Sequence, residues 1–140
     1  MSAPSLDVVV PQLGPLVPLW TFCLLVLTMT FKHYVADFLL QTTWMARGKE
    51  RSFGWFAPLA VHVLCHAGFT LVVALLLAPR LWWLALVDLA IHATIDRCKA
   101  LAGNRGGWDA QDSAFWWLIG FDQLLHQITN IGLASAFFVL

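Results

Sequence analysis

WFAPLAVHVLCHAGFTLVVALLL, residues 55–77, is the stretch that decides the fold. It carries no Asp, Glu, Lys or Arg and stops just before Pro79. A helical run of about twenty apolar residues matches the hydrocarbon thickness of a bilayer. Two histidines, His62 and His66, interrupt it, and their spacing of four puts both on one helix face.

Similar runs lie on either side. Before it, an apolar segment extends from about Leu16 to Met45, longer than one crossing requires. Its second half, FKHYVADFLLQTTWM, mixes in polar residues, so that half is expected to face protein. After it come runs over 81–98 and 113–140, the last with Asp112 or Ser113 as N-cap. The expected fold is all-α: a single transmembrane domain, residues 1–140, built as an integral membrane four-helix bundle. Composition agrees. Hydrophobic residues make up 60% of the chain and charged ones 11%, where a soluble domain carries about a quarter. No internal repeat stands out.

The N-terminal stretch has no Lys or Arg before its apolar part, which argues against a cleavable signal peptide. Pro11, Pro15 and Pro18 make it an irregular lead-in. Cys23, Cys65 and Cys98 are an odd number of thiols in apolar surroundings. They are expected to be buried and unbridged.

The connections set an orientation. RGKERSFG and RCKALAGNRGGWDAQD are rich in Lys and Arg, whereas the connection at Pro79 and Arg80 is short. The positive-inside rule puts the first and third connections in the cytoplasm and both termini outside. Trp44, Trp55, Trp108, Trp116 and Trp117 then fall near one boundary, and Trp20, Trp82 and Trp83 near the other, as an aromatic belt on each side. A formal net charge of zero gives no reason to expect nucleic-acid binding.

Ionisable groups within a bilayer are expensive and usually functional. Each expected span carries one set of them. The sets are His33, Asp37 and Gln41; His62 and His66; Asp88, His92 and Asp96; Asp122 and His126, with Gln123 and Asn130 nearby. At the helical rise of about 1.5 Å per residue, all four sets fall about 8 to 20 Å below the cytoplasmic face. That common layer argues for a metal site. His33, Asp37, His62, His66, His92, Asp122 and His126 are the expected ligands, His66 less firmly than His62. Asp88 or Asp96 is ligand or general base. Gln41 and Gln123 are expected to support the ligands from behind, and Asp96 to do so if it is not itself a ligand or base.

Four ionised aspartates would balance two divalent ions, and the mixed nitrogen and oxygen donors suit zinc first, then iron or manganese. The expected function is a metal-dependent hydrolase acting on a lipid-linked or phosphate-containing substrate at the cytoplasmic face. An ion or proton translocator using the same Asp/His cluster, and a di-iron oxidative membrane enzyme built on the His62/His66 pair, are the alternatives. Bis-histidine haem leaves the aspartates unexplained, and helix-to-helix hydrogen bonding leaves the common depth unexplained. Lys32, beside the cluster, would snorkel or balance a carboxylate. Arg47, Lys49, Arg51, Arg97 and Lys99 would attract anionic head groups or simply fix topology. A homo-oligomer is compatible with all of this.

The ordered set His33-x-x-x-Asp37-Phe38-x-x-Gln41, then His62, then His92-x-x-Ile95-Asp96, then Asp122-Gln123-x-x-His126 resembles the motifs of domain-of-unknown-function family 3307. The resemblance spans about Phe31 to Ile131. It implies a small protein of the bacterial inner membrane whose matched polar residues act together, and it supplies no reaction. A looser similarity links the pattern to membrane-bound metal-dependent hydrolases, which also carry His and Asp on short membrane helices.

Overall fold

The computed structural model describes residues 18–140. Pro11, Pro15 and the first two residues of the 16–45 run lie outside them. The described chain is all-helical: α1 (Leu19–Tyr34), a π-helical segment (Val35–Leu40), α2 (Thr43–Lys49), α3 (Phe56–Leu77), a 3-10 turn (Pro79–Leu81), α4 (Leu84–Gly106) and α5 (Ser113–Val139). Two of these stretches, Leu19–Leu40 and Phe56–Leu77, are long and apolar enough to cross a membrane. α4 and α5, at 23 and 27 residues, are as long but have no stretch that reaches that apolarity.

The four long helices close a ring in which α1 meets α3, α3 meets α4, α4 meets α5 and α5 returns to α1. α2 lies across one end, against α3 and α4. Gly48 makes that approach possible, because a Cβ there would stand 2.4 Å from Pro58 Cγ. The opposite end holds the Pro79–Leu81 turn and the C-terminus, joined where Arg80 donates to the Leu140 carbonyl.

The first expected span is not one helix. Gln41 takes an extended conformation, φ −69° and ψ 105°, and Thr42 starts a new helix by accepting from the Met45 amide at 3.3 Å. The side chain of Gln41 turns back and donates to the Asp37 carbonyl at 3.2 Å, satisfying an oxygen that the break would orphan. Within the second half of that span Lys32 and His33 are buried and Asp37 and Gln41 half-buried, while Phe31, Phe38 and Trp44 stay exposed, as do Tyr34, Thr42 and Thr43.

The third span runs eight residues past its expected end at Cys98, to Gly106. Ala100, Leu101 and Ala102 are strong helix formers, so the helix outlasts the apolar run. It stops at Gly107, whose φ of 62° is the left-handed cap that glycine alone takes without strain. α5 begins at Ser113 as expected with Asp112 as N-cap residue. The Asp112 carboxylate, however, accepts from the Asp109 amide at 3.0 Å and not from the helix.

Inside and outside are inverted relative to a soluble domain. Leu24, Leu27, Leu64, Leu76, Trp20 and Phe121 are among the many large apolar side chains that are exposed, while lysine, histidine and aspartate are buried. This overturns the burial expected of the cysteines: Cys23 and Cys98 are exposed, Cys65 is half-buried, and all three are free. Polar side chains occupy the centre of the ring, so apolar thiols are left on its outer face. The tryptophans, except half-buried Trp55, are likewise exposed.

Candidate metal centre

Asp37 stands on the π-helical segment, four residues after His33. π-Helical turns inside α-helices concentrate at functional sites because they re-aim side chains. One oxygen of Asp37 lies 2.9 Å from His66 Nε2 and 3.4 Å from His62 Nε2, and the other lies 3.1 Å from His33 Nε2. A single carboxylate of α1's extension thus gathers both histidines of α3.

Asp96, on α4, does the same on the other side. Its Oδ2 lies 3.3 Å from His62 Nε2, and its Oδ1 lies 3.4 Å from His126 Nε2. Asp122 Oδ1 lies 3.4 Å from that same His126 nitrogen. His92 completes the cluster, with ring centroids 3.7 Å from His66 and 4.0 Å from His126. His33 lies 4.9 Å from His126 by the same measure. All five histidines therefore meet, although they start on four helices. His62, His66, His92 and His126 are at most 2% exposed.

These separations fit a cation better than direct hydrogen bonds. An ion bound tetrahedrally at about 2.0 to 2.2 Å holds its nitrogen and oxygen ligands about 3.3 Å apart. The four His–Asp distances of 3.3 to 3.4 Å match that edge. Of the His–Asp contacts, that between His66 and Asp37 has hydrogen-bond geometry. Both ring nitrogens of His33 and His62, and Oδ1 of Asp122, are buried without a hydrogen-bond partner. Buried polar atoms normally have one.

Three groupings bring ligand atoms within 4.8 Å of one another: Asp37, His62, His66 and His92; His33, His92 and His126; and Asp96, Asp122 and His126. Every expected ligand is in one of them, as is Asp96. Gln123 donates to Asp122 Oδ2 at 3.2 Å, whereas Gln41 donates to the backbone carbonyl of Asp37 and not to its carboxylate.

Asp88 is not brought to the cluster. Lys32 forms a buried ion pair with it, and the Thr70 hydroxyl donates to the same oxygen at 2.5 Å. Lys32 is 4% exposed, so it balances a carboxylate and does not snorkel. Asp88 therefore belongs to a neighbouring ion pair, which removes the ligand or base role expected of it.

Lys49 is a second departure. It reads in sequence as one of the basic residues of a surface connection, yet it is 7% exposed and pairs with Asp96 at 2.7 Å. The break at Gln41 and Thr42 folds α2 back across the helix ends and carries Lys49 inward. Helical periodicity carried on from α1 could not show this, because the break resets it.

The remaining bases tie the end together. Lys99 pairs with Glu50 at 3.2 Å, Asn104 donates to the Glu50 carbonyl at 2.7 Å, and Arg97 donates to the Arg51 carbonyl at 3.1 Å.

An all-helical ring enclosing a histidine–aspartate cluster is thus the class that fold and site define. The chain belongs to the family described as protein of unknown function (DUF3307), which matches residues 23–140. No curated protein and no solved structure matches it.

Proposed function

We propose that this chain is a four-helix integral membrane protein with a divalent metal centre, acting as a hydrolase on a lipid-linked or phosphate-containing substrate at the cytoplasmic face of a bacterial inner membrane. The observation that carries the proposal is the convergence of five histidines and three aspartates from four helices at ligand spacing.

The membrane reading is supported by the apolar exterior around a polar interior. The proposed orientation is supported by Arg47, Arg51, Arg97, Lys99 and Arg105 gathering at the α2 end, with Arg80 at the other. Both termini then face outward, and the whole chain forms one transmembrane domain.

In this reading Asp37, His62, His66 and His92 hold one ion. Asp96, Asp122 and His126 would hold a second, and the two Asp96 oxygens face His62 and His126. Zinc suits this donor set best, with iron or manganese next. A bound ion would acidify a coordinated water and polarise a phosphoryl or acyl oxygen. Gln123 holds Asp122 through Oδ2, which leaves Oδ1, without a hydrogen-bond partner, to face an ion.

The Lys32–Asp88 pair favours one other reading. A second ionisable set beside the cluster, joined by Thr70, is also what a proton or ion pathway would contain.

Elemental analysis separates the two. Protein purified in detergent without chelator is expected to retain at least one divalent ion per chain. Absence of stoichiometric metal would overturn the hydrolase and leave the pathway.

A further inference from the structure

On its outer side, between α3 and α4, the protein carries a cleft of about 550 Å³. Leu59, Val63, Leu89 and Ala93 form its wall, and Trp55 and Arg97 close one end. Arg97 is the one ionisable residue among its linings apart from the Cys98 thiol.

The basic residues of this end differ in what they face. Lys49 is taken by Asp96 and Lys99 by Glu50. Arg97 has no carboxylate in ion-pair reach among the described residues. Its guanidinium lies 4.1 Å over the Trp55 ring and uses one donor on the Arg51 carbonyl. Stacking on an aromatic face fixes the plane of a guanidinium and leaves its edge donors available, the geometry that grips a phosphate with two hydrogen bonds.

We infer that this cleft binds one anionic phospholipid, with an acyl chain along Leu59, Val63, Leu89 and Ala93 and the head-group phosphate on Arg97. The charge is complementary and the position is right. Arg97 stacks on Trp55, the residue before α3 begins, which puts it level with the end of that span and near the head groups of a membrane the chain spans. The inference rests on the membrane part of the reading above and not on the metal.

The test exchanges phosphatidylglycerol and phosphatidylcholine of identical chains, in equal amounts, onto delipidated full-length protein, with native mass spectrometry as readout. The parent is expected to prefer phosphatidylglycerol about fivefold, from about 1 kcal/mol per basic residue at an anionic surface. Arg97→Gln should bring the preference near one and Arg97→Lys keep part of it. Ala93→Phe should lower retention of both lipids by filling the cleft. Helical content by circular dichroism equal to the parent's confirms folding of each variant, and a repeat on chelator-treated parent should give the same preference whatever becomes of the hydrolase. Recovery of the protein in the soluble fraction of cells would instead remove the membrane reading itself. Equal retention of the two lipids by the parent, an unchanged preference in Arg97→Gln, unchanged retention in Ala93→Phe, or displacement of phosphatidylglycerol by inorganic phosphate alone would each overturn the inference.

Discussion

Asp37→Asn removes one negative charge from the carboxylate that approaches three of the five histidines, at 2.9, 3.1 and 3.4 Å. The side chain keeps its shape, so the helices have no steric reason to move. A structural four-ligand zinc site is worth about 10 to 16 kcal/mol, or about 2.5 to 4 kcal/mol per ligand. At about 1.4 kcal/mol per decade, loss of one ligand weakens binding by about 10² to 10³-fold. The matching control is the double change Lys32→Met with Asp88→Leu. It also removes buried charge, but from the neighbouring pair and with no net change in charge. Replacing a buried ion pair by apolar side chains is often neutral or stabilising, and metal affinity should stay within about threefold, the usual error of additivity for independent sites. The assay is competition with a chromophoric chelator in detergent, with helical content checked by circular dichroism. Parent-like affinity in Asp37→Asn would refute the ligand assignment. A loss in the double variant as large as that in Asp37→Asn would put Asp88 back among the ligands.

Lys49→Met leaves Asp96 without its ammonium partner. Stranding one member of a buried pair costs about 3 to 5 kcal/mol, so the metal-free protein should melt well below the parent. A bound cation beside Asp96 replaces the lost charge, so the zinc-loaded variant should recover most of the difference. Equal losses with and without zinc would remove Asp96 from the centre. For orientation, reporter domains inserted after Arg51 and after Gly106 should report the cytoplasm, and one fused after Leu140 the opposite side. A cytoplasmic C-terminus would reverse the bundle and move the centre toward the outer face.

How far the sequence could be read depended on whether a feature was local. Apart from His33 and Asp37, which the start of the π-helical segment separates, the histidine and aspartate pairs four residues apart lie on continuous α-helix, so their shared faces follow from the helical period alone. His62 with His66 and Asp122 with His126 meet in the folded protein as that spacing implies. Asp88 obeys the same spacing with His92 and is nonetheless claimed by Lys32, which lies 56 positions away. Periodicity ranks faces but does not choose between two acceptors on one face. Lys32 within an apolar run was the available signal, since a buried ammonium requires a carboxylate. Lys49 had no such signal. Its place depends on the Gln41–Thr42 break, and neither residue is a strong helix breaker. The break shows in the Thr42 cap and in the Gln41 side chain on the Asp37 carbonyl.

The two buried lysines also change the number of ions that charge alone supports. Four ionised aspartates would balance two divalent cations. Lys32 and Lys49 cancel two of those charges, at Asp88 and Asp96, and leave two. One divalent ion then makes the closed interior neutral. The grouping with the most ligands, Asp37, His62, His66 and His92, would take it, with Asp96 Oδ2 3.3 Å from His62. A second ion at Asp96, Asp122 and His126 would leave the interior with two excess positive charges, an arrangement costly in low dielectric unless an anion arrives with it. A phosphate group is such an anion. On this argument the resting protein would hold one ion tightly, and a second would enter together with a phosphate. The excess charge that disfavours a second ion at rest is then what recruits a phosphate, and it ties the choice of substrate to the same two lysines.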